Sequence, residues 1–275
     1  MGVLDGKVAL ITGAARGQGR SHAVELARHG ADIIAVDVCE QIDGVPYPMA
    51  TTADLDETVR QVEALDRRIH SAVADVRDLV GLTKAVDDGV TALGRLDIIV
   101  ANAGISAPAP TLDMPEEAWS TMIDVNLNGV WRTVKAGAPH IIKGGLGGSI
   151  VITSSLAALM PNENIAHYAA AKAGLVGLMR VLAKELASKS IRVNTVHPTT
   201  VATDMVLNEA TFKLFRPDRD VPTQDDFEAA ARTLNALPVA LTESIDITNA
   251  VLYLVSDSGR YVTGTTHVVD AGGLL

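Results

Sequence analysis

Seven short stretches of the chain read as strands, most of them apolar at nearly every position, and helical periodicity fills the intervals. The first is Val8–Thr12, stopped by Gly13; the others fall at 33–37, 69–75, 96–101, 149–153, 191–196 and 266–269. Apolar residues three and four apart predict helices over 20–29, 55–68, 79–93, 115–140, from the Tyr168 region to about 188, and 247–255. Gly30 and Gly94 stand where a helix C-terminus stops, and Pro115-Glu116-Glu117 suits a first helical turn. Strands apolar on both faces and alternating with helices imply a parallel sheet covered on both sides. The expected architecture is α/β, with residues 1–275 forming one doubly wound domain.

Two segments exceed what this alternation needs. One, 38–53, contains Pro46, Tyr47 and Pro48, and the pattern assigns it no role. The other, 204–241, holds all three phenylalanines, Phe212, Phe215 and Phe227. Long loops in compact domains are usually functional, so 204–241 is read as a mobile lid over an apolar substrate. Ordinary core contacts by the phenylalanines are the competing reading. Met114, Met160 and Met205 would add adaptable apolar wall.

Composition narrows the partners. Of 275 residues, 48% are apolar and 20% charged, enough for a substantial core and against disorder. A formal charge of −10 counts against nucleic acid or an anionic membrane as a general partner. The single cysteine, Cys39, excludes an internal disulfide and suits a reducing compartment. No apolar run reaches membrane-spanning length, so a soluble cytoplasmic protein is expected. His22, His140, His167, His197 and His267 show no metal-ligand spacing, and no metal is expected.

Candidate chemistry lies at the strand ends. Gly13, Gly17 and Gly19, with Arg16 and Gln18 among them, sit between the first strand and the first helix. Glycines there let backbone N–H groups approach a pyrophosphate at a helix N-terminus. The spacing is Gly-x3-Gly-x-Gly rather than the common Gly-x-Gly-x2-Gly. Asp37 closes the second strand, where a carboxylate can accept from both ribose hydroxyls and would repel a 2′-phosphate; NAD is favoured over NADP. Asp75-Val76 could flank an adenine, although a strand-end Asp is often only a turn residue. Farther on, Tyr168 and Lys172 stand four apart on one helix face, and Ser155 follows the fifth strand. A phenol beside an ammonium, with a hydroxyl delivered from a strand end, is a plausible proton-transfer device.

Together these stretches resemble the short-chain dehydrogenase/reductase family over essentially the full chain. The matching pieces are Thr12-Gly13-x3-Gly17-x-Gly19, Asp75-Val76, Asn102-Ala103-Gly104, Asn126, Ser155, Tyr168-x3-Lys172 and Thr203. The resemblance implies a Rossmann-type sheet of seven strands, usually a tetramer or dimer, and hydride transfer between NAD(P) and an alcohol or carbonyl. It implies Tyr168 as general acid/base, Ser155 holding the substrate oxygen, Lys172 favouring the phenolate and bonding the nicotinamide ribose, and Asn126 positioning a relay water. It also places Asn102, Ala103, Gly104, Pro198, Val201 and Thr203 around the cofactor. Free tyrosine titrates near ~10, so use near neutrality needs a depression of roughly 2–3 units. One departure stands out: the family commonly has Pro-Gly after strand six, whereas this chain has Pro198-Thr199, which puts the local backbone path in question.

A narrower resemblance, carried by residues 12–23, the long segment after Asp37 and His197-Pro198-Thr199-Thr200, points to actinobacterial carveol dehydrogenases and mycofactocin-dependent oxidoreductases. It implies a tightly held NAD, electron transfer to a second redox cofactor (mycofactocin), and a small apolar secondary alcohol or ketone, terpene- or steroid-like. A homotetramer is the expected assembly. Two alternatives share parts of this pattern. A ketoacyl-thioester reductase has the same catalytic set, but Asp37 argues against the NADPH such enzymes generally prefer. A non-catalytic NAD-binding sensor would be expected to lose Tyr168 or Lys172, and both are present.

Overall fold

The computed structural model describes residues 2–160 and 162–275. Its strands are β1 (Val8–Thr12), β2 (Asp32–Asp37), β3 (Ile69–Val73), β4 (Ile98–Ala101), β5 (Gly148–Thr153), β6 (Ile191–Pro198) and β7 (Thr266–Val269). They form one parallel sheet in the order β3-β2-β1-β4-β5-β6-β7. All seven strands predicted from the sequence form, with only their ends adjusted. The helices are α1 (Gly17–Arg28), α2 (Thr52–Glu63), α3 (Leu79–Leu93), α4 (Glu116–Ile123), α5 (Gly129–Gly144), α6 (Ala166–Leu186), α7 (Glu209–Phe215), α8 (Gln224–Arg232) and α9 (Ser244–Val255).

Period-two alternation in the strands explains the layering. Val8 and Leu10 of β1 join Ile34, Ile99 and Ile150 in a core closed by Leu82 of α3, Val134 of α5 and Leu175 of α6. Ala9 and Ile11 join Ile33, Ile98 and Val151 in the other core, closed by Leu26 of α1, Leu55 of α2 and Val251 of α9. Every residue of β1, β2 and β4 is buried, which is why these strands read as unbroken apolar runs. Strand order reverses at β1, whose neighbours are β2 and β4, and a crevice opens above their carboxyl ends. The structure is thus a Rossmann-type domain.

Three elements differ from the pattern reading. The helix expected over 115–140 is interrupted by a π-helical turn, Asp124–Asn128, between α4 and α5. The helix expected from 55 starts at Thr52, because Thr51 and Asp54 form a capping box. The segment 204–241 contains α7 and α8, and its phenylalanines hold the two together. Phe227 is fully buried, stacks on Phe212 at 5.2 Å and meets Phe215 edge-on at 4.9 Å. The aromatics there form a small core of their own.

The packing of α1 against α9 buries a histidine. His22 is fully buried; its Nδ1 lies 2.8 Å from the Thr248 hydroxyl and its Nε2 has no partner. Burial pushes its pKa down from 6.5 to about 3. The unfolded chain therefore takes up a proton below 6.5 that the folded chain refuses until about 3, so this residue costs stability progressively as pH falls through that window. At about pH 5 the expected penalty is about 2 kcal/mol. Urea unfolding of wild type and His22→Gln at neutral pH and at about pH 5 checks it: the wild type should lose about that much more on acidification.

Candidate active site

The crevice is a cleft enclosing about 1280 Å³, open mouth included. Every residue predicted to contact a cofactor lines it, from Gly13 through Asp37 and Gly104 to Thr203, and so do Ser155, Tyr168 and Lys172. Asn126 alone of the predicted set does not.

At one end the β1–α1 turn is drawn tight. Gly13 and Gly17 take positive φ, +67° and +54°, and a side chain on Gly19 would strike the Gly13 carbonyl. Helix α1 has no side-chain N-cap bond and no acid in its first turn, so its leading N–H groups suit an anion. The loop is braced from both sides. Asn102 at the end of β4 donates from Nδ2 to the Thr12 carbonyl at 3.1 Å, and Asp37 Oδ2 accepts from the Ala15 N–H at 3.0 Å. Asp37 Oδ1 also accepts from Cys39 N–H at 3.1 Å, which fixes the carboxylate at the cleft wall. Asp75 accepts from the Arg77 backbone and guanidinium at 2.7 and 2.8 Å, so part of its capacity is used by a neighbour that sequence reading did not pair with it. Val76 packs into the core beneath Gly129.

At the other end α6 and β5 bring the catalytic candidates together. Lys172 is buried, and its Nζ donates to the Thr153 carbonyl at 2.8 Å and stands 5.6 Å from the centre of the Tyr168 ring. Burial holds the Lys172 ammonium down at about 8. Ser155, extended after β5, accepts from Ala157 N–H at 3.1 Å. Burial raises the Tyr168 phenol above its usual range, and the adjoining Ser155 hydroxyl pulls it back. The protein alone therefore does not supply the depression expected of Tyr168. A positively charged ligand ring, added to the Lys172 ammonium already in place, would have to provide it.

Two further placements extend the sequence reading. The Asn126 side chain, on the π-helical turn, is closed onto Ile105: Oδ1 accepts from its N–H at 2.9 Å and Nδ2 donates to its carbonyl at 2.8 Å. It makes no direct hydrogen bond with Lys172; Gly104 lies beside both, and a Cβ added there would lie 2.9 Å from Asn126 Oδ1 and 3.4 Å from Lys172 Nζ. His197, to which the sequence reading gave no site role, is fully buried behind Ser155. Its Nδ1 donates to the Ser155 carbonyl at 2.9 Å, leaving Nε2 to accept from Thr195 at 2.8 Å. The Pro198-Thr199 departure is absorbed without left-handed backbone: Thr199 N–H bonds Val269 at 3.3 Å and Val201 bridges Thr242. Among the described residues no group of three His, Cys, Asp or Glu could hold a metal ion, and no helix is long and apolar enough to cross a membrane.

The remaining parts missed in the sequence belong to 38–53. Arg16 donates to the Pro48 carbonyl and pairs with Asp204 at 2.6 Å, joining the glycine loop, this segment and the start of 204–241.

Comparison with known proteins agrees with this geometry. The short chain dehydrogenase family model matches residues 7–213. The chain is 54% identical to (-)-trans-carveol dehydrogenase of Rhodococcus erythropolis, covering 100% of both chains. It superposes on the crystal structure of carveol dehydrogenase from Mycobacterium avium in complex with NAD with a TM-score of 0.98, 55% identity and coverage of 100% of this chain and 99% of that one. A short chain dehydrogenase from Mycobacterium paratuberculosis bound to NAD follows at TM-score 0.91, 47% identity and 99% of each chain.

Proposed function

The chain belongs to the short-chain dehydrogenase family, and from that premise we propose that it is an NAD-dependent oxidoreductase interconverting a secondary alcohol and its ketone. The observation that carries the reading is the convergence of Tyr168, Lys172 and Ser155 at one end of a cleft whose other end is a glycine-lined helix N-terminus. The glycine loop, the fixed Asp37 carboxylate and the uncapped first turn of α1 fit NAD. When bound, NAD accepts the hydride from the carbinol carbon and brings a positive ring to the cleft.

In the oxidative direction Ser155 holds the substrate oxygen and steadies its developing charge, and Tyr168 removes its proton. Lys172, charged near neutrality and anchored on Thr153, favours the phenolate. Asn126 contributes by holding Ile105, and with it the loop that carries Gly104, against α6. A small apolar substrate, terpene-like as in the carveol dehydrogenases, suits the Ile42, Met49, Ile105, Met205 and Val206 part of the wall. The ketoacyl-thioester alternative is disfavoured by Asp37, which would repel a 2′-phosphate.

The ties from Arg16 to Pro48 and Asp204 support a tightly held NAD, reoxidised in place by a second redox cofactor such as mycofactocin. Half-exposed Trp119 and Trp131 on α4 and α5 support assembly into a homotetramer, and a free Cys39 with no disulfide partner fits a cytoplasmic location. One experiment tests the core of the reading. The purified protein is assayed for bound NAD(H), then for NADH formation with terpene, steroid and short aliphatic alcohols, with added NAD and with NADP. Co-purified NAD(H) and NADH formation on the held cofactor are expected; ready loss of NAD on dialysis with fast turnover in free NAD would count against the tight hold, and preference for NADP would remove the role given to Asp37.

A further inference from the structure

The segment 38–53 places a second phenol in the cleft. Tyr47 is only 5% exposed, packed in the same apolar core as Ile42, Ile105 and Met122, and it shares the cleft wall with Tyr168. Its oxygen accepts from the Ser106 backbone N–H at 3.1 Å, which pins the ring across the cleft to the loop after β4. That bond uses a lone pair and leaves the phenol proton without a protein acceptor among the described residues. Burial, with Tyr168 adding to it, pushes Tyr47 up to about 12, so it stays a neutral donor throughout the working pH range. Buried hydroxyls normally find partners, and an unmet donor is costly. The nearby Asp204 carboxylate, which adds to the upward push on Tyr47, is paired with Arg16 at 2.6 Å and makes no hydrogen bond with the phenol, so a ligand in the cleft is free to supply the acceptor.

We infer that Tyr47 is a specificity-determining residue that donates a hydrogen bond to a second oxygen of the substrate, remote from the carbinol held by Ser155 and Tyr168. The preferred substrates are then largely apolar alcohols or ketones carrying another hydroxyl, ketone or ether oxygen. This rests on the oxidoreductase reading above. Tyr168 and Tyr47 have different tasks: one exchanges a proton in the reaction, the other reads a group that does not react.

The test uses NAD-loaded protein, wild type and Tyr47→Phe, which keeps the ring and its packing. Single-turnover NADH formation is followed against concentration for two matched pairs: cyclohexanol with cyclohexane-1,4-diol, and a monoterpenol with its hydroxylated counterpart. NAD affinity of both proteins is measured alongside. In the variant the dioxygenated member of each pair should lose about fivefold to tenfold in efficiency, through weaker binding rather than a slower limiting rate, while the mono-alcohol stays within about twofold. Equal loss on both members would mean that Tyr47 merely props the Ser106 loop, and would overturn the inference, as would no loss on either. A fall in NAD affinity that accounts for the whole effect would assign the acceptor to the cofactor and overturn it too. Failure of the wild type to form NADH with any alcohol would overturn the oxidoreductase reading itself, and the Tyr47 assignment with it.

Discussion

Tyr168→Phe is expected to lower alcohol oxidation by about 10²–10⁴-fold, the usual contribution of a positioned acid/base, with NAD binding and the fold retained. The substitution removes one oxygen and nothing else. Tyr168 packs at the edge of the apolar core through its ring, which phenylalanine reproduces. Lys172 keeps its bond to Thr153, and Ser155 keeps its bond from Ala157, so the remaining groups hold their places. What is lost is the phenol beside the Ser155 hydroxyl, to which the proposed mechanism gives the proton transfer. Circular dichroism, NAD binding by fluorescence and single-turnover oxidation of a secondary alcohol check the three parts separately. Retained oxidation would sink the mechanism, while lost NAD binding would show that the phenol serves the cofactor instead.

That expectation was open to the sequence because the groups that carry it obey short-range rules. Tyr168 and Lys172 share a helix face by their spacing of four, and Ser155 follows an apolar strand that could only be central. The sheet was equally legible: residues buried on both faces cannot hide their strands. What escaped is of two physical kinds. Helices α7 and α8 span only 7 and 9 residues, a run short enough to pass for loop, and they are joined by contacts among Phe212, Phe215 and Phe227 that no local period encodes. The π-helical turn under Asn126 likewise leaves the apolar pattern intact while rotating the side chain onto Ile105. The other kind is long-range. Tyr47 meets Ser106, Arg16 meets Asp204, and His197 meets Ser155 across separations that no local pattern encodes. Tyr47 stood in an apparent insertion to which the sequence pattern assigned no role, and only the folded chain shows it buried.

The glycine loop permits the second strong expectation: Gly19→Ala should weaken NAD binding by at least about 100-fold, or nearly 3 kcal/mol, and lower the melting temperature. A Cβ at this position would lie 1.9 Å from the Gly13 carbonyl oxygen, 2.7 Å from its carbon and 2.9 Å from Asn102 Nδ2. The first two are backbone atoms of the same turn, so no side-chain rotation relieves the clash. Either the turn opens or α1 withdraws, and both move the first-turn N–H groups away from the cleft and break the Asn102 and Asp37 braces. Gly177→Ala is the matched control. Gly177 lies within α6 with nothing within 4 Å of an added Cβ, so alanine there should gain up to about 1 kcal/mol of helix stability and leave NAD affinity unchanged. The contrast separates a glycine required by close approach from one that a helix merely tolerates. If Gly19→Ala binds NAD as the wild type does, the turn is not the pyrophosphate cradle, and the cofactor must be held chiefly from the Asp37 and Thr203 walls.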